Sequence, residues 1–299
     1  MQKYNTITVL KLPNCNINAF GIVQIAEMIT NIGCVQDLNL DMNPNAQENY
    51  HLLCAPGGSL KYLSLRLCKI SDDGAKKIAN ELRYRDPPNN PKLIILNLAN
   101  NHITKDGAGH IGEMLRTNRS LRCLVLLGNR MCDEGARLIL QELKIITLKH
   151  EEIVEVRRRK FAELALMEEW KIKTILGHEM CHPHKKESFP MNGKMMAIGN
   201  LELQYLDLSF NHLTNDILQE TINCLYYQNY MLLGDRSKGL LYVLIEGGGI
   251  DKQGNKDWNR FDELLRQRQS GERLENDAYR EFVSQESEIL RRSFNSSLA

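Results

Sequence analysis

The sequence predicts an α/β fold, a curved solenoid in which a parallel sheet lines one side and helices line the other. Leucine and asparagine are unusually frequent, with 43 Leu and 27 Asn among 299 residues. The pattern L-x-x-L-x-L-x-x-N/C-x-L recurs along the chain, and a helical pattern of apolar residues follows most copies. Each such unit has one apolar face that it cannot bury alone, so neighbouring units must stack.

Seven copies of the pattern set the register of the repeats. They begin at Ile7, Val35, Leu60, Leu93, Leu121, Leu203 and Leu240. The steps between them are 28, 25, 33, 28, 82 and 37 residues, so the unit has 28 residues, one step is short and three are interrupted. Two copies are imperfect: the second ends in Asn45, and the last has Gly248 where Asn or Cys belongs. Seven copies indicate leucine-rich repeats.

A 28-residue unit is long enough for a strand and a full return helix. Small or apolar residues recur four and eight residues after the last motif position, which places them on one helical face. The first of these positions holds Gly21, Gly74, Gly107, Gly135 and Gly254. The second holds Ile25, Ile78, Ile111, Ile139 and Trp258. Acidic residues such as Asp72 and Asp106 precede the glycines and favour a helix N-terminus.

The ninth motif residue has a separate predicted role. Asn101, Asn129 and Asn211 occupy this position, and an amide side chain there can hydrogen-bond backbone groups where the chain turns out of the strand. Cys15 and Cys68 occupy the same position in other repeats, so a structural role is predicted for both thiols.

The pattern divides the chain into four parts. Repeats 1–5 span residues 1–143, a helical and loop insertion spans 144–200, repeats 6 and 7 with a helical cap span 201–265, and a polar, partly helical tail spans 266–299. A long helix is predicted from Glu151 to Ile175, with a loop from there to about Asn200. The first repeat lacks a polar cap over its open edge, so we expect either a longer product or another protein to cover that edge.

Composition favours a protein that binds other proteins. A formal net charge of +1 argues against binding to nucleic-acid phosphates, and no apolar run reaches the ~18 residues of a membrane span. Eight cysteines without tight spacing are typical of a reduced, cytoplasmic protein. Residues 178–184 include three histidines and a cysteine, but without a second ligand pair a solvated loop is the preferred interpretation. No catalytic, cofactor, metal or small-molecule site is predicted.

The inner face of the sheet is the main candidate for partner binding. Within L-x-x-L-x-L-x, the third, fifth and seventh residues point away from the core. From Tyr62 onward they are mainly apolar and aromatic, as in the core of a protein interface. The predicted contacts on this face are Tyr62, Arg66, Ile95, Val125, Leu127, Tyr205 and Tyr242. The alternative is that the inserted helix or the tail folds back over this face.

The inserted helix offers a second candidate contact. Arg157, Arg158 and Arg159 follow one another and could meet an acidic surface on a partner. Glutamates surround this run, so a solvated helix face is the alternative interpretation.

Two resemblances extend the prediction. The 28-residue units with Asp-Gly-Ala at the helix start resemble the ribonuclease-inhibitor subclass of leucine-rich repeats. The repeats from Leu93 to Leu143, the H-x-E-[IV]-V-x-x-R-R-R sequence of His150–Arg159 and the late repeat at Leu203–Thr214 are similar to the family of leucine-rich repeat-containing protein 71. That family is associated with motile cilia, so the resemblance implies a scaffold in the axoneme or another cytoskeletal assembly, within the cytoplasm or cilium.

Two alternative functions stay open at this point. Ran GTPase-activating proteins use similar repeats, which would make the chain a regulator of a small GTPase, although it lacks their acidic tail. A soluble inhibitor that wraps an enzyme is the other alternative, although a net charge of +1 does not favour binding to a basic target. The preferred hypothesis is a non-enzymatic scaffold for other proteins, with no nucleic-acid, membrane or small-molecule partner.

Overall fold

Seven short parallel strands, one from each predicted repeat, form one continuous sheet. The computed structural model describes residues 7–86, 89–168, 183–184, 188–191, 193–232 and 237–270. The strands of this sheet are β1 (Val9–Lys11), β2 (Asp37–Asn39), β3 (Tyr62–Ser64), β4 (Ile95–Asn97), β5 (Cys123–Val125), β9 (Tyr205–Asp207) and β10 (Tyr242–Leu244). They pair in this order, so β5 lies directly beside β9. We call the sheet face that points away from the core the concave face.

The pairing register confirms the predicted repeats. The third motif residues lie opposite one another across the whole sheet, and the fourth motif residues do the same. The aligned third residues are Val9, Asp37, Tyr62, Ile95, Cys123, Tyr205 and Tyr242. The two imperfect copies therefore keep the register of the others.

Six helices of the repeats pack behind the sheet in the described part of the chain. They are α1 (Ala19–Ile32), α2 (Asp72–Leu82), α3 (Lys105–Leu115), α4 (Cys132–Leu140), α6 (Asp216–Leu232) and α7 (Lys256–Ser270). The 25-residue second unit has room only for a 3₁₀ helix, Asn49–Cys54, in which Tyr50 is fully buried. Gly254 precedes α7 instead of lying on its first turn, and α7 extends past residue 265, where the sequence predicted the cap to end. Residues 271–299 of the predicted tail lie outside the described residues.

The apolar core lies between the sheet and these helices. The fourth motif residues Leu63, Leu96, Leu124 and Leu206 are at most 1% exposed. Their strand neighbours on either side face the concave side, as the two-residue period of a strand requires. The core is continuous from repeat 1 to α7, so each repeat depends on its neighbours for burial.

The ninth motif residue ties each repeat to the one before it. Asn101 is buried, and its side-chain oxygen accepts the backbone N–H groups of Cys68 and Ile70, both at 3.0 Å. Its amide donates to the carbonyl oxygens of Leu65 and Leu98, both at 2.9 Å. One side chain thus satisfies four backbone groups on two adjacent repeats, which confirms the predicted hydrogen bonding to the backbone.

The same interaction recurs wherever asparagine holds this position. Asn43, Asn129 and Asn211 each accept from and donate to the backbone of the preceding repeat. Cys68 replaces asparagine only in part, because a thiol is a weak donor. It donates one hydrogen bond to the preceding repeat, to the carbonyl of Leu40 at 3.3 Å. We call this set of interactions the asparagine ladder.

Acidic residues connect the helix starts of successive repeats. The carboxylate of Asp72 accepts the N–H and hydroxyl of Thr104, each at 2.7 Å, and the N–H of Gly107 at 2.9 Å. Asp133 accepts the N–H of Thr214 at 2.9 Å in the same way. These acids therefore cap the helix of the following repeat, a role beyond the predicted one at the start of their own helix.

The insertion contains a second sheet, where the sequence predicted a loop. Its strands are β6 (Ile145–Thr147), β7 (Ser188–Met191) and β8 (Lys194–Ile198), paired antiparallel in the order β6-β8-β7. The loop prediction was wrong because these strands are short and because β6 pairs with β8, about 50 residues further along the chain. Helix α5 (His150–Glu168) agrees with the predicted helix, and residues 169–175 of that prediction lie outside the described residues.

The insertion leaves and rejoins the solenoid at one point. The N–H of Asn200 donates to the carbonyl of Glu142 at 2.9 Å. A Cβ at Gly199 would clash with the carbonyl of Lys144, so only glycine allows the two segments to lie this close. Repeat 6 therefore follows repeat 5 as though the insertion were absent.

Asn101→Ala should lower the free energy of unfolding by about 3 kcal/mol, because it leaves buried backbone donors and acceptors of two repeats without partners. Asn31→Ala, an exposed change on α1, should alter it by less than about 0.5 kcal/mol. Denaturant unfolding of both variants measures the difference. Equal stability of the two variants would contradict a structural role for the ladder.

Leu96→Asp and Ile95→Asp place the same charge on opposite faces of β4. Leu96 is 1% exposed in the core, so its replacement should cost several kcal/mol, whereas half-buried Ile95 on the concave face should cost far less. Thermal unfolding curves provide the measurement. A Leu96→Asp curve like the wild type would refute the assigned strand register.

Candidate partner-binding surface

The strands place three rows of side chains on the concave face. Because adjacent strands are parallel and in register, motif positions 3, 5 and 7 form continuous rows across the sheet, about 4.8 Å apart from strand to strand. Every predicted contact of this face lies in one of these rows. The contacts by row are Tyr62, Ile95, Tyr205 and Tyr242 in the first, Val125 in the second, and Arg66 and Leu127 in the third.

The N-terminal part of the concave face is polar and satisfied within the chain. The carboxylate of Asp41 accepts the hydroxyl of Ser64 at 2.6 Å and the N–H of Arg66 at 2.9 Å. It also accepts the side-chain amide of Asn39 at 3.1 Å. These hydrogen bonds fix the polar side chains to one another, which lowers their capacity to bind a partner.

The C-terminal part of the concave face is apolar and aromatic. Val125, Asp207 and Leu244 lie side by side in the second row, and Tyr205 and Tyr242 lie side by side in the first. The two tyrosine rings have centroids 6.1 Å apart and planes tilted by 38°, within the range of favourable aromatic pairs. Tyr242 is 49% exposed and Leu244 is 37% exposed, so this surface is open in the described part of the chain.

Asp207 lies at the centre of this apolar surface and is 4% exposed. Its Oδ1 accepts the N–H of Ser209 at 3.0 Å. Burial, followed by the negative charge of Asp207, raises the pKa of the Cys123 thiol to about 11. Burial and the same carboxylate also raise the pKa of Tyr205. Both groups are therefore neutral at physiological pH.

The three predicted arginines of α5 differ in their surroundings. Arg157 is exposed. Arg158 pairs with Glu155 at 2.7 Å. Arg159 pairs with both Glu155 and Asp86, and its guanidinium lies 5.5 Å from the ring centroid of Tyr84. Arg159 thus fastens the helix to the repeats, whereas Arg157 and Arg158 face solvent.

A buried charge cluster that no sequence motif indicated lies between α5 and the repeats. Arg116 is 6% exposed, and its guanidinium donates two hydrogen bonds to Glu152, at 2.8 and 2.7 Å. A third goes to Glu142 at 2.7 Å, and a fourth to the carbonyl of Thr147 at 2.9 Å. His184 also lies 3.5 Å from Glu152. We call Arg116, Glu142 and Glu152 the charge clamp.

The two carboxylates of the charge clamp titrate differently. Burial raises the pKa of Glu142, and Arg116 beside it does not fully compensate. Burial also opposes the charge of Glu152, but hydrogen bonds from Arg116 and His184 outweigh it and hold the pKa of Glu152 well below its usual range. The clamp residues are far apart in sequence, so no local motif could have revealed them.

The described part of the insertion packs against the helix side of the repeats. Besides the charge clamp, Lys149 pairs with Glu113 of α3 at 2.6 Å. Phe189 and Met196 of its sheet pack against Tyr230 of α6. This part of the insertion therefore leaves the concave face uncovered; the tail beyond residue 270 lies outside the described residues.

The described residues contain no cluster of three or more His, Cys, Asp or Glu side chains that could hold a metal ion. Of the histidine-rich segment 178–184, residues 178–182 lie outside the described residues. None of the described helices is long and apolar enough to cross a membrane.

Comparison with known proteins agrees with this architecture. A family model described as "Leucine Rich repeat" matches residues 59–79, 89–112 and 199–220, the regions of repeats 3, 4 and 6. The chain therefore has the α/β solenoid fold of leucine-rich repeat proteins. It is also similar to the human "NACHT, LRR and PYD domains-containing protein 13", with 27% identity over 165 residues. That alignment covers 45% of this chain and 16% of the human protein, so the chain spans a small part of that relative's length.

Glu152→Ala should release α5 from the repeats, because removing one partner of a buried ion pair leaves Arg116 poorly compensated, at a cost of about 3 kcal/mol. Glu151→Ala is the matched control, since Glu151 is exposed on the same helix. Hydrogen exchange of residues 150–159 should accelerate in the first variant alone. Identical exchange in both variants would show that the clamp does not hold the helix.

Proposed function

We propose that this protein is a non-enzymatic scaffold that binds another protein through the C-terminal half of its concave face. The observation that supports this most directly is the open apolar and aromatic surface formed by β5, β9 and β10. Leucine-rich repeat domains generally mediate protein–protein interaction, and the concave face is the broad surface that the repeats present in common.

The composition of this surface fits an interface centre. Tyr205 and Tyr242 offer large apolar rings with polar hydroxyls, the residue type that is enriched where binding energy concentrates. Val125, Leu127 and Leu244 surround the rings with aliphatic contacts. The rings are fixed on strands of a continuous sheet, so little conformational entropy is lost when a partner binds.

The proposed setting is a ciliary axoneme or another cytoskeletal assembly. The resemblance to the family of leucine-rich repeat-containing protein 71 supports this setting, through the repeats that precede α5 and the H-x-E-[IV]-V-x-x-R-R-R sequence at its start. Its partners would then be other proteins of a large assembly in the cytoplasm or cilium. Nucleic acids, membranes and small-molecule substrates are not part of the proposal.

Helix α5 is a secondary contact in this proposal. Arg157 is exposed, and Phe161, one helical turn further along the same face, is 72% exposed. Arg159 is occupied by its contacts with the repeats and contributes to holding the helix in place. Charged contacts of this exposed kind add little affinity at physiological salt.

The double variant Tyr205→Ala/Tyr242→Ala should weaken partner capture by about 30-fold or more, because a hot-spot aromatic contributes about 2 kcal/mol. Quantitative affinity capture from ciliated cells measures this, with non-ciliated cells as the comparison. Neither ring lies in the core, so the thermal unfolding midpoint should stay close to that of the wild type.

Phe161→Ala and Arg157→Ala/Arg158→Ala are the controls, since they remove exposed side chains outside the concave face. If these changes abolish capture while the tyrosine pair does not, α5 is the binding surface and the concave-face proposal fails. Equal recovery of the same partners from ciliated and non-ciliated cells would argue against the axonemal setting.

A further inference from the structure

Asp207 is a carboxylate in an unfavourable place. It is 96% buried, since only 4% of its surface is exposed, and the residues beside it in the same row are Val125 and Leu244. Its hydrogen bond from Ser209 engages one oxygen. No cationic side chain pairs with it among the described residues. The other oxygen accepts no hydrogen bond in the described part of the chain and keeps contact with solvent. A partner that covered this surface would remove that solvent, at a high cost unless the partner supplied a positive charge.

Asp41 is an acid on the same face with hydrogen bonds to both of its carboxylate oxygens. It lies at the seventh position of repeat 2 and accepts three hydrogen bonds, from Asn39, Ser64 and the backbone of Arg66. Asp207 accepts one. Glu246, the other acid of repeats 6 and 7 on this face, pairs with Lys252 at 3.3 Å. Asp207 therefore differs from both in having its charge uncompensated.

At motif positions 3, 5 and 7 the concave face carries more acidic than basic residues, although the chain has a net charge of +1. Its acidic residues at motif positions 3, 5 and 7 are Asp37, Asp41, Asp207 and Glu246. Its basic residues at these positions are Lys11 and Arg66. Both basic residues belong to repeats 1–3, so the apolar surface of repeats 5–7 presents only negative charge at these positions.

We propose that the partner inserts a lysine or arginine side chain against Asp207, between apolar residues that cover the surrounding surface. This inference rests on the proposed function and adds the chemistry of the partner. The ring pair of Tyr205 and Tyr242 adjoins the carboxylate in the next row and attracts a cation through its π faces. Val125 and Leu244 flank Asp207 and pack against the aliphatic stem of the inserted side chain.

A random 12-residue peptide library displayed on phage tests the inference without knowledge of the natural partner. The library is selected against the full-length wild type, and peptides that also bind Tyr205→Ala/Tyr242→Ala are discarded. The enriched peptides should share a lysine or arginine flanked by apolar residues. Asp207→Asn should weaken a synthetic peptide of this kind by about 30-fold or more, because it removes one partner of a desolvated ion pair.

Asp41→Asn is the matched control and should leave affinity within about twofold, since Asp41 is satisfied by its own neighbours. Asparagine at 207 can still accept from Ser209, so the unfolding midpoint of Asp207→Asn should not fall below that of the wild type. A second measurement changes the peptide: its basic residue is replaced by norleucine. This replacement should weaken binding to the wild type but should cause little further loss of affinity for Asp207→Asn, because the ion pair is already absent there.

Each remaining outcome decides a different claim. Enriched peptides that need the tyrosines but contain no basic residue overturn the inference and leave the proposed function standing. A library that yields no tyrosine-dependent peptide overturns both.

Discussion

The asparagine ladder is the interaction on which the rest of the architecture depends. Strands of three residues leave backbone donors and acceptors unpaired where the chain turns away, and those groups lie beside an apolar core. A side-chain amide has both a donor and an acceptor, so Asn101 can satisfy two repeats at once. Stacking therefore becomes a hydrogen-bonded as well as an apolar interaction. The acids that cap the next helix repeat this linkage at the other end of each unit.

This double linkage explains why the concave face is suited to recognition. Adjacent repeats are fixed at the strand ends and at the helix starts, so the side chains between them keep constant spacing. Tyr205, Asp207 and Tyr242 come from two repeats, yet they form one surface.

The sequence predicted the features that depend on a local period and missed those that depend on distant contacts. Repeat register, core leucines and the backbone role of Asn101 follow from spacing within one unit. The pairing of β6 with β8 joins residues about 50 positions apart, and the charge clamp unites Arg116 with Glu152. The motif placed Asp207 on the concave face. That it lies between Val125 and Leu244, without a cationic partner in the described part of the chain, followed only from the contacts between strands.

The adjacency of Glu142 and Asn200 has a consequence for the order of folding. An ordinary step closes a loop of about 28 residues, whereas joining β5 to β9 closes one nearly three times longer, which adds about 1 kcal/mol of chain entropy. Units 1–5 are joined by steps of 25 to 33 residues, so they are expected to assemble first and offer β5 as a template. Units 6 and 7 would then attach late, and the surface that they complete would be absent from any early intermediate.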